Sequence, residues 1–118
     1  MSYDIDLCDP VTGAVLELDD VHHMHGGTYC VGGTREASMN VTYNYSKHYY
    51  RVMGDKGIRT LYGMTGAASL PVLDAAIAAL GNDTDGDYWK PTEGNAKQAL
   101  CCLRTLAAMR PDGVWSGD

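Results

Sequence analysis

Phenylalanine is absent from this chain, and its aromatic content is carried by eight Tyr and two Trp. Each of these rings has a polar handle that needs a partner when buried, so they suit a half-wet groove as well as the edge of a core. No apolar run approaches the ~18 residues of a membrane span, so no transmembrane helix is expected. The opening MSYDIDLCDP is acidic where a signal peptide needs a basic start. The four cysteines, Cys8, Cys30, Cys101 and Cys102, show no CxxC spacing. Cys101 and Cys102 are adjacent in a helical stretch and point about 100° apart, which makes them poor partners for each other. Reduced thiols in a cytoplasm are therefore expected. The N-glycosylation patterns at 40–42, 44–46 and 82–84 then carry no meaning. The first twenty residues contain no Lys or Arg, and the net charge is −6. Binding to a nucleic-acid backbone, which rewards clustered cations, is disfavoured. There is no P-loop, no GxGxxG opening a helix, no GxSxG and no paired acidic motif, so no stretch names a reaction.

What is present is ordinary globular material. A chain of 118 residues, 45% hydrophobic and 20% charged, is read as a single domain over 1–118. It is long enough to bury about two-thirds of its unfolded surface without a metal or disulfide.

The residue pattern predicts an α+β fold: two N-terminal β-hairpins forming an antiparallel sheet, packed against two main C-terminal α-helices over about 69–80 and 93–110. Residues 3–8 alternate, with Tyr3, Ile5 and Leu7 against Asp4, Asp6 and Cys8. Asp9-Pro10-Val11-Thr12-Gly13 is turn chemistry, and Ala14, Leu16 and Leu18 read as the return strand. Residues 19–27 read as a loop. A second hairpin is expected from 28–31 and 37–45, placing Met39, Val41, Tyr43 and Tyr45 on one face and Asn40, Thr42 and Asn44 on the other. Ser46 is read as the cap of a short helix over 47–53 with Tyr49, Tyr50 and Met53 inward. Another helical turn is expected around Ile58, Leu61 and Tyr62. Ser69 is read as the cap of a helix whose stripe is Leu70, Leu73, Ile77 and Leu80, and Thr92 as the cap of the last. Val114 and Trp115 are expected to fold back onto the body.

Four places could carry chemistry. His22, His23, His25 and Cys30 are the densest cluster of metal-type ligands; His23 and His25 share a face of an extended chain and Cys30 could return across a turn. No recognised zinc spacing appears, so zinc bound by His23, His25 and Cys30 stands beside a plain polar loop. Cys30 with His22 or His23 is also a conceivable nucleophile and base. GGTYCVGGT could form a backbone nest for an anion, or simply a tight turn. Asp83, Asp85 and Asp87 with Gly86 resemble a calcium loop, but the glycine and the bidentate Glu are misplaced, which favours a solvated acidic loop. Last, Asn40, Thr42 and Asn44 form a polar ladder. With Tyr43, Arg59, Tyr62 and Trp89 they compose a surface suited to a polar small molecule or a protein partner. The alternative is that these amides satisfy neighbouring loops.

The runs NVTYNYSKHYY (40–50), GIRTLYGMTGAASLPVLDAAIAALGND (57–83), YWKPTEGNAKQAL (88–100) and RTLAAMRPDGVWSGD (104–118) resemble short uncharacterised proteins of bacteriophages and bacterial mobile elements. That resemblance implies no catalytic residue. It implies a setting, in which small accessory proteins bind a host protein or sequester a host signal molecule. The favoured expectation is thus a non-enzymatic, cytoplasmic binding protein that needs no cofactor and could form a homo-oligomer. The alternative is a small zinc hydrolase or metal-binding protein built on His22, His23 and His25.

Overall fold

In a computed structural model that describes residues 1–27 and 30–118, the chain runs β1 (Ser2–Cys8), β2 (Glu17–His22), β3 (Thr34–Glu36), β4 (Ser38–Thr42), α1 (Ser46–Met53), α2 (Gly66–Ala79), α3 (Glu93–Met109) and β5 (Val114–Gly117). Short 3-10 turns lie at Tyr43–Tyr45 and Gly57–Leu61. The α+β class, the antiparallel sheet and the two principal C-terminal helices are as expected.

The strand pairing is less local than hairpins would give. One sheet has the order β4-β1-β5, all antiparallel, with Asp4 opposite Asn40 and Leu7 opposite Trp115. The second sheet is β2 with β3, interrupted by a bulge between Glu17 and His22. The first turn forms as its chemistry dictates: Asp9 Oδ1 accepts from the N–H groups of Val11 and Thr12, and Gly13 takes φ 76°. The return strand, however, touches β1 only at Cys8–Val15 before leaving to pair with β3. Residues 19–22, expected as loop, thus belong to β2. The hinge between the sheets is Ala37. Its carbonyl accepts from Leu7 N–H while its own N–H reaches the Leu16 carbonyl. Of the expected strand at 28–31, Thr28 and Tyr29 lie outside the described residues, and Cys30 and Val31 are not in a strand.

Tyr43 and Tyr45 do not continue β4. Thr42 Oγ1 accepts from Asn44 N–H and bends the chain into the 3-10 turn that leads into α1. Ser46 is the first residue of that helix rather than its cap, and its hydroxyl lies 2.6 Å from the Tyr3 hydroxyl. Tyr49 points inward as expected, whereas Tyr50 is 45% exposed.

α2 begins three residues before the expected Ser69, capped by Thr65, whose side chain accepts from Ala68 N–H. Its buried face is Gly66, Ser69, Leu73 and Ala76, rotated from the leucine stripe. The reason is steric: a Cβ at Gly66 would stand 2.7 Å from the Arg110 carbonyl, so small residues are required where α2 meets the end of α3. α3 follows its sequence signals closely, with Thr92 accepting from Asn95 N–H and Ala96, Leu100, Leu103 and Ala107 buried. The core lies between these helices and one sheet face carrying Tyr3, Ile5, Leu7, Met39, Val41 and Trp115. No helix of the described residues is long and apolar enough to cross a membrane.

Candidate functional site

The seven residues of the expected polar and aromatic surface separate into three places. Arg59, Tyr43 and Tyr62 gather at one edge of the three-stranded sheet. The Arg59 guanidinium sits 4.9 Å from the Tyr3 ring centre and 5.8 Å from that of Tyr43, a cation–π arrangement. Its Nε donates to the Asp118 main-chain carbonyl at 2.9 Å, and the Tyr62 hydroxyl donates to the same oxygen. Burial, then the Asp118 carboxylate, holds the Tyr62 phenol well above its usual range, so it stays a donor. This group fastens the end of β5.

Thr42, Asn44 and Trp89 belong to a second place, the joint between β4 and the acidic 82–91 segment. Asn44 Nδ2 donates to the Trp89 carbonyl at 2.9 Å, and Thr42 N–H donates to the Tyr88 hydroxyl at 2.9 Å. The Tyr45 hydroxyl donates to the Tyr88 carbonyl, and His48 contacts the Pro91 carbonyl. Asn95, buried at the start of α3, completes the clamp. Its Oδ1 accepts from Asp85 N–H and its Nδ2 donates to the carbonyls of Asp87 and Lys90. The aspartates themselves form local turns, with Asp85 and Asp87 accepting from main chain two residues on. Asn44 therefore serves a neighbouring loop, the alternative weighed for it above.

Asn40 is set apart from both groups, in a groove of about 560 Å³. Strand alternation explains its floor. In β1 the residues opposite the core face are Asp4 and Asp6, and their partners in β4 are Asn40 and Ser38; all four line the groove. The opposite wall is the segment after β2, with His22, His23 and His25, the turn Cys30–Gly33, and Glu36 of β3. Met24 and Val31 add apolar surface. The groove thus joins one member of the amide ladder to every member of the expected metal cluster.

Two close approaches hold this wall. A Cβ on Gly26 would lie 1.9 Å from the Asn40 carbonyl, so only glycine lets the segment lie against β4. Gly33, at φ +84°, would place a Cβ 2.5 Å from Val21 and 2.7 Å from the His22 carbonyl. The glycines of the GGTYCVGGT run thus serve packing and a turn, the latter closed by Gly33 N–H to the Cys30 carbonyl. Buried His22 ties the wall to β3. Its Nδ1 accepts from Met24 N–H at 3.1 Å, which fixes the neutral tautomer with Nε2–H donating to the Glu36 carbonyl at 2.6 Å.

With both nitrogens engaged, His22 has none left for a metal or for a proton relay to Cys30. His25 Nδ1 lies 2.6 Å from the Gly26 carbonyl, while His23 and Cys30 are exposed. Among the described residues, no three His, Cys, Asp or Glu side chains come close enough together to hold a metal ion.

The sequence reading missed Asp4, Asp6, Ser38 and Glu36 as groove residues. For Asp4 and Asp6 the signal is the alternation of β1, but only the non-local pairing with β4 turns that face into a groove. Burial, followed by the like charges of Glu36, Asp4 and Asp118, raises the Asp6 carboxyl above its usual range. No Lys or Arg is among the described lining residues. Comparison with models of known protein families, with curated proteins and with solved structures finds no match to this chain.

Proposed function

We propose that this chain is a non-enzymatic binding protein whose ligand site is the groove between the polar face of β1–β4 and residues 22–25 and 30–34. The observation that carries this reading is the groove itself. Its volume lies within the range of ordinary ligand sites, and it combines apolar surface from Met24 and Val31 with a few directed polar groups. His22 is held at both nitrogens by main chain, so it is not free to act as a base toward Cys30. The resemblance of four runs to phage and mobile-element proteins supports an accessory role directed at a host component.

The test is an amide-resolved NMR titration with a library of small polar fragments and short peptides. Shift changes are expected to cluster at Asp6, His22, Met24, Ser38 and Asn40. Changes confined to α2 and α3, or none across the library, would refute the reading. Metal analysis of protein purified without a histidine tag separates it from the zinc alternative. Stoichiometric zinc, lost on His25→Ala, would favour a metal site.

A further inference from the structure

Resting on that reading, we infer that the groove receives an extended, lysine- or arginine-bearing segment of a partner protein. Asp4, Asp6 and Glu36 face its cationic groups, and Met24 and Val31 cover its apolar side chains.

Charge complementarity is the first argument. Three carboxylates line the groove and no described lining residue is a Lys or Arg. The nearest guanidinium along the chain, Arg35, sits between Thr34 and Glu36 but donates its Nε to the Leu18 carbonyl at 3.0 Å. Asp6 is half-buried beside other carboxylates that raise its proton affinity, so an incoming cation relieves repulsion that water relieves poorly. Net charge −6 adds long-range attraction for a basic partner.

Size and surface decide between a peptide and a smaller cation. A volume of about 560 Å³ holds several side chains and greatly exceeds one ion. Met24 in the groove wall favours the peptide too: an unbranched thioether adapts to varied apolar side chains and adds nothing for a bare ammonium. Val31, 96% exposed at the rim, is apolar surface that a longer ligand would cover.

The test uses the full chain and a fluorescein-labelled peptide of about eight residues alternating arginine with leucine, a length that spans one extended strand. Binding is read by anisotropy at low and high salt. The comparisons are the same peptide with citrulline for arginine, and spermidine as competitor. Saturable binding, weakened by salt and about tenfold weaker in Asp6→Asn/Glu36→Gln, is expected. Val31→Lys, at a position too exposed to disturb folding, is expected to weaken it as well.

Equal affinity for the citrulline peptide, or unchanged affinity in both variants, overturns the cationic assignment. The groove reading survives that result if the neutral peptide still shifts the Asp6, Ser38 and Asn40 amides. Displacement by spermidine at matching concentration overturns the peptide in favour of a small amine. Failure of both peptides to bind overturns the inference, and shift changes confined to α2 and α3 overturn the groove reading with it.

Discussion

The indole N–H of Trp115 donates to the Ser69 hydroxyl at 2.8 Å, with both side chains buried. The same hydroxyl donates to the Gly66 carbonyl at 2.7 Å. One serine therefore joins β5 to the first turn of α2. Ser69→Ala leaves the indole N–H buried without a partner, and a loss of about 1–3 kcal/mol in urea unfolding is expected. Trp115→Phe removes the donor but also leaves a smaller ring. In a double-mutant cycle the two losses should sum to more than the double variant shows, and strict additivity would refute the coupling.

Asn95→Ala removes three hydrogen bonds to the main chain of 82–91 at once. A stability loss of about 2–3 kcal/mol is expected, together with faster proteolysis within that segment. Asn95→Asp keeps the acceptor but sets a carboxylate against the Asp87 and Lys90 carbonyls, so it should not rescue. Limited proteolysis followed by mass spectrometry locates the cleavage.

Asp6 and Glu93 make opposite contributions to the pH dependence of stability. The native state holds the Asp6 proton more tightly than the unfolded chain, first through burial and then through Glu36, Asp4 and Asp118. Ionisation of Asp6 therefore opposes folding as pH rises through its raised native value, and the penalty is absent below the unfolded carboxylate range. Asp6→Asn should be more stable than the parent at neutral pH, by less than about 1 kcal/mol because the carboxyl is only half-buried. The difference should vanish below about pH 3. Glu93 is depressed, first by the Gly81 N–H and then by Arg51. Its contribution is present above the usual glutamate range and is lost as pH falls through the depressed value. Thermal melts of Asp6→Asn and Glu93→Gln across pH read both signs.

Gly26→Ala should loosen the groove wall. The new methyl would lie 1.9 Å from the Asn40 carbonyl, so the segment must move off β4. A destabilisation of about 2–4 kcal/mol is expected, with faster hydrogen exchange at the Met24 amide. Unchanged exchange there would show that the wall does not depend on this contact.

The parts of the fold that were legible are those whose causes are local. Thr92 and the Ala–Leu stripe define α3 within a few positions, and Asp9 with Gly13 defines the first turn. The start of α2 was misplaced because Ser69 looks like a cap, whereas its hydroxyl answers to Trp115. Tyr43 and Tyr45 were read as strand because alternation continues through them, and the Thr42 side chain that ends it competes only locally. In the proposed groove, the histidine run supplies one wall and Asn40 part of the floor. Asp4 and Asp6 were invisible as site residues, because only the pairing of β1 with β4 turns their face into a groove.

The middle strand of the main sheet has neighbours from well-separated parts of the chain: β4, at residues 38–42, on one side and β5, at residues 114–117, on the other. During synthesis β1 emerges early and waits with one edge open until residue 117 has cleared the ribosome. Pairing over such sequence separations is slow, because chain closure must precede the contacts that reward it. In that interval the exposed edge of β1 is a place for a chaperone to hold or for another chain to pair wrongly.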